Sequence, residues 1–100
     1  MIKIKFHEAY RKIVAVCDSD LVGKKFTEGK LQLDIKESFY SGDEVKDEKE
    51  ALELLRCAQV DDATFNFVGK KSIEIGLKAG VIGKEGIIKV QGIPHAMGLL

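Results

Sequence analysis

Residues 12–17, KIVAVC, constrain the fold more than any other stretch of this chain. Beyond Lys12 the run is apolar, and Ile13, Val14 and Val16 are β-branched, so it suits a central pleated strand better than a helix. Just before it, Ile2, Ile4 and Phe6 alternate with Lys3, Lys5 and His7, the pattern of a half-buried strand with a basic outer face. A turn over residues 8–11 joins the two as a hairpin and leaves His7 on the solvated side. Leu31, Leu33 and Ile35 alternate in the same way and predict a third strand, with loop or a short helical turn over 21–29.

Asp47 and Glu50 have capping-box spacing, and Ala51, Leu52, Leu55 and Ala58 then recur at helical intervals. They predict an amphipathic helix over 47–59, with Asp47, Glu48 and Glu50 at the positive end of its dipole. After Asp62 the pattern is mixed. Asn66 as N-cap and Gly80 as terminal glycine favour a helix over about 67–79, although Gly76 costs about 1 kcal/mol inside it. Residues 86–91, GIIKVQ, read as the last strand. The expected architecture is a single α+β domain over 1–100. It is a two-layer sandwich of about four mostly antiparallel strands with two helices on one face, in the order β-β-β-α-α-β.

Composition narrows the function classes. Hydrophobic residues at 45% and charged residues at 32% fit an ordinary globule. No apolar run approaches the ~20 residues of a membrane helix, and the charged start lacks a signal-peptide core. A cytoplasmic setting without membrane contact follows. Cys17 and Cys57 lie in apolar surroundings and read as reduced, buried thiols. Cysteines and histidines at 7, 17, 57 and 95 lack zinc-ligand spacing, so no metal is expected, and no cofactor fingerprint is present. Net charge is zero but unevenly spread: +3 over 1–36, −6 over 37–62 and +3 over 63–100. The acidic middle offers a surface for a protein partner, and the basic flanks offer one for RNA.

Two stretches resemble functional motifs. Gly83 and Gly86 have the G-x-x-G spacing of a KH loop, but Ile87–Val90 is strand-like where that motif needs a helix, so a turn into a strand is expected. Cys17 and His95 could be drawn as a nucleophile and base, though nothing in the sequence places them together. Residues 92–96, GIPHA, hold the only proline of the chain. Gly92 and Pro94 are expected to form an ordered turn after the last strand, with Ile93 buried and His95 partly exposed.

AVCD (15–18), LVGKKFTEG (21–29), SFYSG (38–42), DEKEALELL (47–55), NFVG (66–69) and GIPHA (92–96) together resemble a mostly archaeal family, the domain of unknown function numbered 424. The apolar ending Met97–Leu100 differs from the more polar ending of that family. The resemblance implies a compact α+β domain, helix over 67–79, a cytoplasmic setting and a role near translation or RNA metabolism. It singles out Asp18, Ser38, Tyr40, Asn66, Gly92, Pro94 and His95 as binding candidates. The leading expectation is a noncatalytic module contacting RNA or a ribonucleoprotein, with Lys24, Lys25, Lys70 and Lys71 as nucleic-acid candidates beside Lys3 and Lys5. The alternatives are a protein-interaction adaptor using the acidic helix and Tyr40, or a small enzyme or ligand-binding protein centred on His95.

Overall fold

The computed structural model describes residues 1–8, 11–60 and 62–98. The expected hairpin is present: β1 (Ile2–His7) and β2 (Ile13–Asp18) run antiparallel with Ile4 opposite Val16. β2 is central, as its composition requires, and its second neighbour is β6 (Thr64–Val68), which runs parallel to it. β5 (Asp43–Val45) flanks β1, while β8 (Ile93–Gly98) and then β7 (Ile88–Val90) extend the sheet beyond β6. The order is β5-β1-β2-β6-β8-β7, and β2–β6 is its only parallel pair among the described residues. A separate hairpin pairs β3 (Lys25–Glu28) with β4 (Leu31–Asp34).

Alternation sends β1 side chains to opposite faces, and β2 is apolar on both. Val14 and Val16 meet Phe65, Phe67 and Leu55 beneath two helices, α2 (Glu48–Val60) and α3 (Lys70–Ala79). Ala15 and Cys17 face the other way, against Leu21, Leu33, Ile35 and Tyr40. These come from the β3–β4 hairpin, its approaches and the four-residue helix α1 (Glu37–Tyr40). Val14, Ala15, Val16 and Cys17 are fully buried. Each large apolar side chain so covered contributes roughly 1.5–3 kcal/mol.

The α+β class and the mostly antiparallel sheet hold, but the four-strand, two-layer count does not. Six strands form the main sheet, two more form the hairpin, and the hairpin with α1 adds a third layer. α2 lies where expected, and the Asp47 carboxylate accepts the Lys49 N–H at 3.0 Å. α3 is shorter than expected. Asn66 and Phe67 belong to β6, so Asn66 caps nothing, whereas Gly80 ends the helix as expected. The turn expected over 8–11 includes residues 9–10, which lie outside the described residues, as do residues 99–100 of the apolar ending. At 84–86 the chain makes a short turn and enters β7, in line with a strand rather than a KH helix after Gly86.

Three local expectations are corrected. His7 is half-buried rather than freely solvated: α1 folds over it, its ring stacks on Phe39 at 4.6 Å and its Nε2 donates to the Phe39 carbonyl at 2.8 Å. Cys57 is exposed on α2 while Cys17 is buried, and both thiols are free. The turn in the opposite strand pair lies one step earlier than expected. Gln91 and Gly92, both at positive φ (52° and 79°), form a two-residue hairpin turn, and Ile93 and Pro94 start β8 instead of leaving the sheet. Ile93 is consequently half-buried and Pro94 buried.

Pro94 is tolerated inside the sheet for a specific reason. Val90 and Ile93 close the tight turn and bond across to each other, so the backbone of Pro94 faces β6. There Gly69 donates to the Pro94 carbonyl at 2.9 Å, and the return bond that proline cannot make is not needed. The Gly69 carbonyl instead accepts Ile73 N–H at 2.9 Å and starts α3.

Candidate binding crevice at the switch point

The two parallel strands end side by side and then part. β2 runs through Ser19–Leu21 toward the hairpin layer, whereas β6 runs through Gly69 into α3 on the opposite face. Divergent connections after neighbouring parallel strands open a crevice at their carboxyl ends, the usual ligand position in open α/β sheets.

Asp18, the last residue of β2, closes the floor. Its Oδ1 accepts the Ser72 N–H at 2.9 Å and the Ser72 hydroxyl at 2.8 Å, and its Oδ2 accepts the Lys71 N–H at 3.3 Å. A residue 54 positions away in sequence thus caps α3 and satisfies Ser72, the one fully buried polar side chain among the described residues. Gly69 makes this approach feasible: it sits at φ +104°, and a Cβ there would lie 2.3 Å from the Asp18 carboxyl carbon. The carboxylate offsets the positive end of α3, so these amides are not free to receive an anion.

Around that floor are two adjoining clefts. One, of about 390 Å³, is lined by Met1, Ser19, Asp20, Lys70 and Lys71 with Asp18. The other, of about 170 Å³, shares Asp18, Asp20 and Lys70 and continues past Leu21 to Gly92 and Pro94. Lys70 and Lys71 are exposed and have no ion-pair partner among the described residues. Ser19 Oγ is buried and has no hydrogen-bond partner among the described residues. Lys24 adjoins this end of the molecule, its N–H donating to the Leu21 carbonyl at 3.1 Å, and Lys25 starts β3.

Of the sequence candidates, the structure brings Asp18, Gly92, Pro94, Lys70 and Lys71 to one crevice. Asn66 and His95 lie apart from it, on the hairpin side of the sheet. Asn66 is opposite Met97 and His95 opposite Val68. His95 is partly exposed, as expected, and its Nδ1 lies 3.0 Å from the Phe67 carbonyl. A carbonyl only accepts, so that contact places the hydrogen of the neutral ring on Nδ1. Ser38 is exposed on α1, and its carbonyl accepts Lys5 Nζ at 2.8 Å.

Tyr40 is buried beside Cys17, and burial pushes its hydroxyl up to about 12. Burial, then the neighbouring Asp18 and Asp20 carboxylates, pushes the Cys17 thiol up to about 12 as well. In the cross-strand row Cys17–Val68–His95, the backbones of Cys17 and His95 are two strand spacings apart, about 9.6 Å. That separation brings no nucleophile to a base. On the helix face, Glu48 of the expected acidic surface is paired with Lys78. A further cleft of about 280 Å³ opens there, but its floor of Ile2, Val45 and Ala51 is almost wholly covered.

Ser19, Asp20, Gly69 and Ser72 escaped the sequence reading. The local signal was the pair of turn-forming strand ends, Asp18-Ser19-Asp20 after VAVC and Gly69 after NFV. Their pairing depends on the parallel contact, which no local pattern reveals.

The family model described as "Protein of unknown function (DUF424)" matches residues 6–99. The chain belongs to the DUF424 family. This DUF424 chain is similar to the crystal structure of an uncharacterized conserved protein from Methanopyrus kandleri, with a TM-score of 0.83 at 24% identity. That match spans 96% of this chain and 88% of the other. No curated protein matches the DUF424 chain. Among the described residues no helix is long and apolar enough to cross a membrane.

Proposed function

We propose that this DUF424 domain is a noncatalytic binding module, working in a cytoplasmic setting, that holds RNA on its own or within a ribonucleoprotein. The observation that carries the reading is the first turn of α3, which holds Lys70 and Lys71 and no acidic residue. Cations there oppose the helix dipole, whereas α2 starts with Glu48 and Glu50 in the favourable sense. Lysines that are exposed and without an ion-pair partner among the described residues suit an external anion. Two lysines side by side at the carboxyl end of the sheet, with Lys24 bonded through its N–H to Leu21 of the same crevice, offer charge for phosphate contact.

The test is a titration against short single-stranded RNA at two salt concentrations, with wild type and a Lys70→Ala/Lys71→Ala double variant. Binding should weaken with salt, and the double variant should reduce the slope of log K against log salt by about 0.7, the worth of the one phosphate the two lysines share. Salt-insensitive binding, or an unchanged double variant, would remove the proposal.

A further inference from the structure

We infer that the crevice between β2 and β6 takes one nucleotide unit, with the phosphate on Lys70 and Lys71 and the ribose hydroxyls on Asp20 and Ser19. The inference rests on the RNA reading above and sharpens it: the rim lysines give affinity, and the crevice selects the ribose. Four observations lead there. The crevice is at the point where neighbouring parallel strands send their connections to opposite faces, the position that ligands favour in such sheets. Its two clefts, about 390 and 170 Å³, meet at Asp18, Asp20 and Lys70, and the larger is of the size that small ligands occupy.

The third observation is chemical sorting. Two ammonium groups stand on the α3 wall, and an exposed carboxylate, Asp20, stands on the other. Asp18 is already committed to the amides of α3, so these amides play no part in binding. A simple anion would gain from the lysines and be repelled by Asp20. A nucleotide uses both, because its phosphate pairs with lysine while its 2′ and 3′ hydroxyls donate to a carboxylate. The fourth observation is Ser19 Oγ, a buried hydroxyl with no partner among the described residues, on a residue that lines the larger cleft. Such orphans are rare, because each forfeits a hydrogen bond.

The source is either a free nucleotide or the end of an RNA chain, and the experiment separates them. Calorimetric titrations of the whole protein use inorganic phosphate, adenosine 5′-monophosphate, its 2′-deoxy counterpart and a short oligoribonucleotide. The ribonucleotide should bind at least about tenfold more tightly than phosphate and more tightly than the deoxynucleotide. Asp20→Asn should weaken the ribonucleotide about tenfold and erase its advantage over the deoxy form, and Ser19→Ala should weaken it less. Both positions lie outside the bonded cap, so these variants should keep the wild-type melting temperature. Tighter binding after Asp20→Asn would show that Asp20 only repels anions and would overturn the inference. A ribonucleotide no tighter than phosphate would overturn it too. Oligoribonucleotide binding that depends on salt but ignores Asp20→Asn would leave the RNA reading standing and remove this one. Mononucleotide binding without oligomer binding would support the crevice with a free nucleotide as its occupant.

Discussion

The two main helices begin in opposite ways. α2 starts from within its own sequence: Asp47 bonds the Lys49 N–H, and Glu48 and Glu50 complement the dipole. α3 starts from elsewhere, with Asp18 at the end of β2 capping a helix whose first turn carries two lysines. The first design is local and answers only to stability. The second ties a helix end to a sheet junction and spends its exposed charge on something outside the fold. An unfavourable local choice with a remote compensation is the mark of a site.

That contrast can be broken most directly at Asp18. Asp18→Ala should cost about 2–3 kcal/mol, since it removes a cap and strands the buried Ser72 hydroxyl. Chemical denaturation would read this, and a loss below about 0.5 kcal/mol would mean that α3 does not depend on the remote carboxylate. A second weakness of the same junction shows at high pH. Cys17, whose folded thiol is pushed up to about 12, favours its neutral form in the native state. Its contribution is complete below the unfolded value near 9.0 and is lost as pH rises from there toward 12. The loss is at most roughly 1.4 kcal/mol per pH unit. Denaturation midpoints between pH 8 and 11 should fall steeply in the wild type and less steeply in Cys17→Ala, where the Tyr40 contribution remains.

Asp47→Ala should cost less than Asp18→Ala, about 1 kcal/mol or below, because its carboxylate is exposed and accepts one amide bond. Equal losses at the two positions would erase the distinction between the helices. The smallest effect has the opposite sign. Lys71→Gln should change stability by no more than about 0.3 kcal/mol, upward if at all because a cation leaves the helix start that Asp18 already offsets, while weakening RNA binding. A clearly destabilised Lys71→Gln protein would mean that the lysine serves the structure, and the functional argument from its placement would fall.

How much of this was legible follows from the same contrast. The β1–β2 hairpin and α2 were readable because alternation and helical spacing are local, and because Asp47 lies beside the helix it caps. KIVAVC held more than was taken from it: apolar residues on both faces of a central strand require a cover on both faces, hence a third layer. The cover itself is built from four-residue strands and one turn of helix, too short for any period to show. β5 is three residues, Asp43-Glu44-Val45, two of them charged, and only β1 beside it makes it a strand. β8 was masked by Pro94, which normally argues against an inner strand and is accommodated only where Gly69 leaves the sheet. At the crevice, lysines and Asp18 were candidates separately. Their meeting depends on β2 lying beside β6, which residue types alone do not announce.

The parallel β2–β6 contact also orders events in time. Asp18 and Thr64 bracket the long connection between these strands, and the chain must close that loop before Asp18 can reach Ser72. α2 can form early from its own residues, whereas the first turn of α3 waits for a slow, non-local closure. Substitutions at Asp18 or Ser72 should therefore leave the folding rate almost untouched and accelerate unfolding, while substitutions in the α2 core, such as Leu55→Ala, should slow folding. With those rates the crevice would assemble last and open first, and a ligand seated there would prolong the life of the native state.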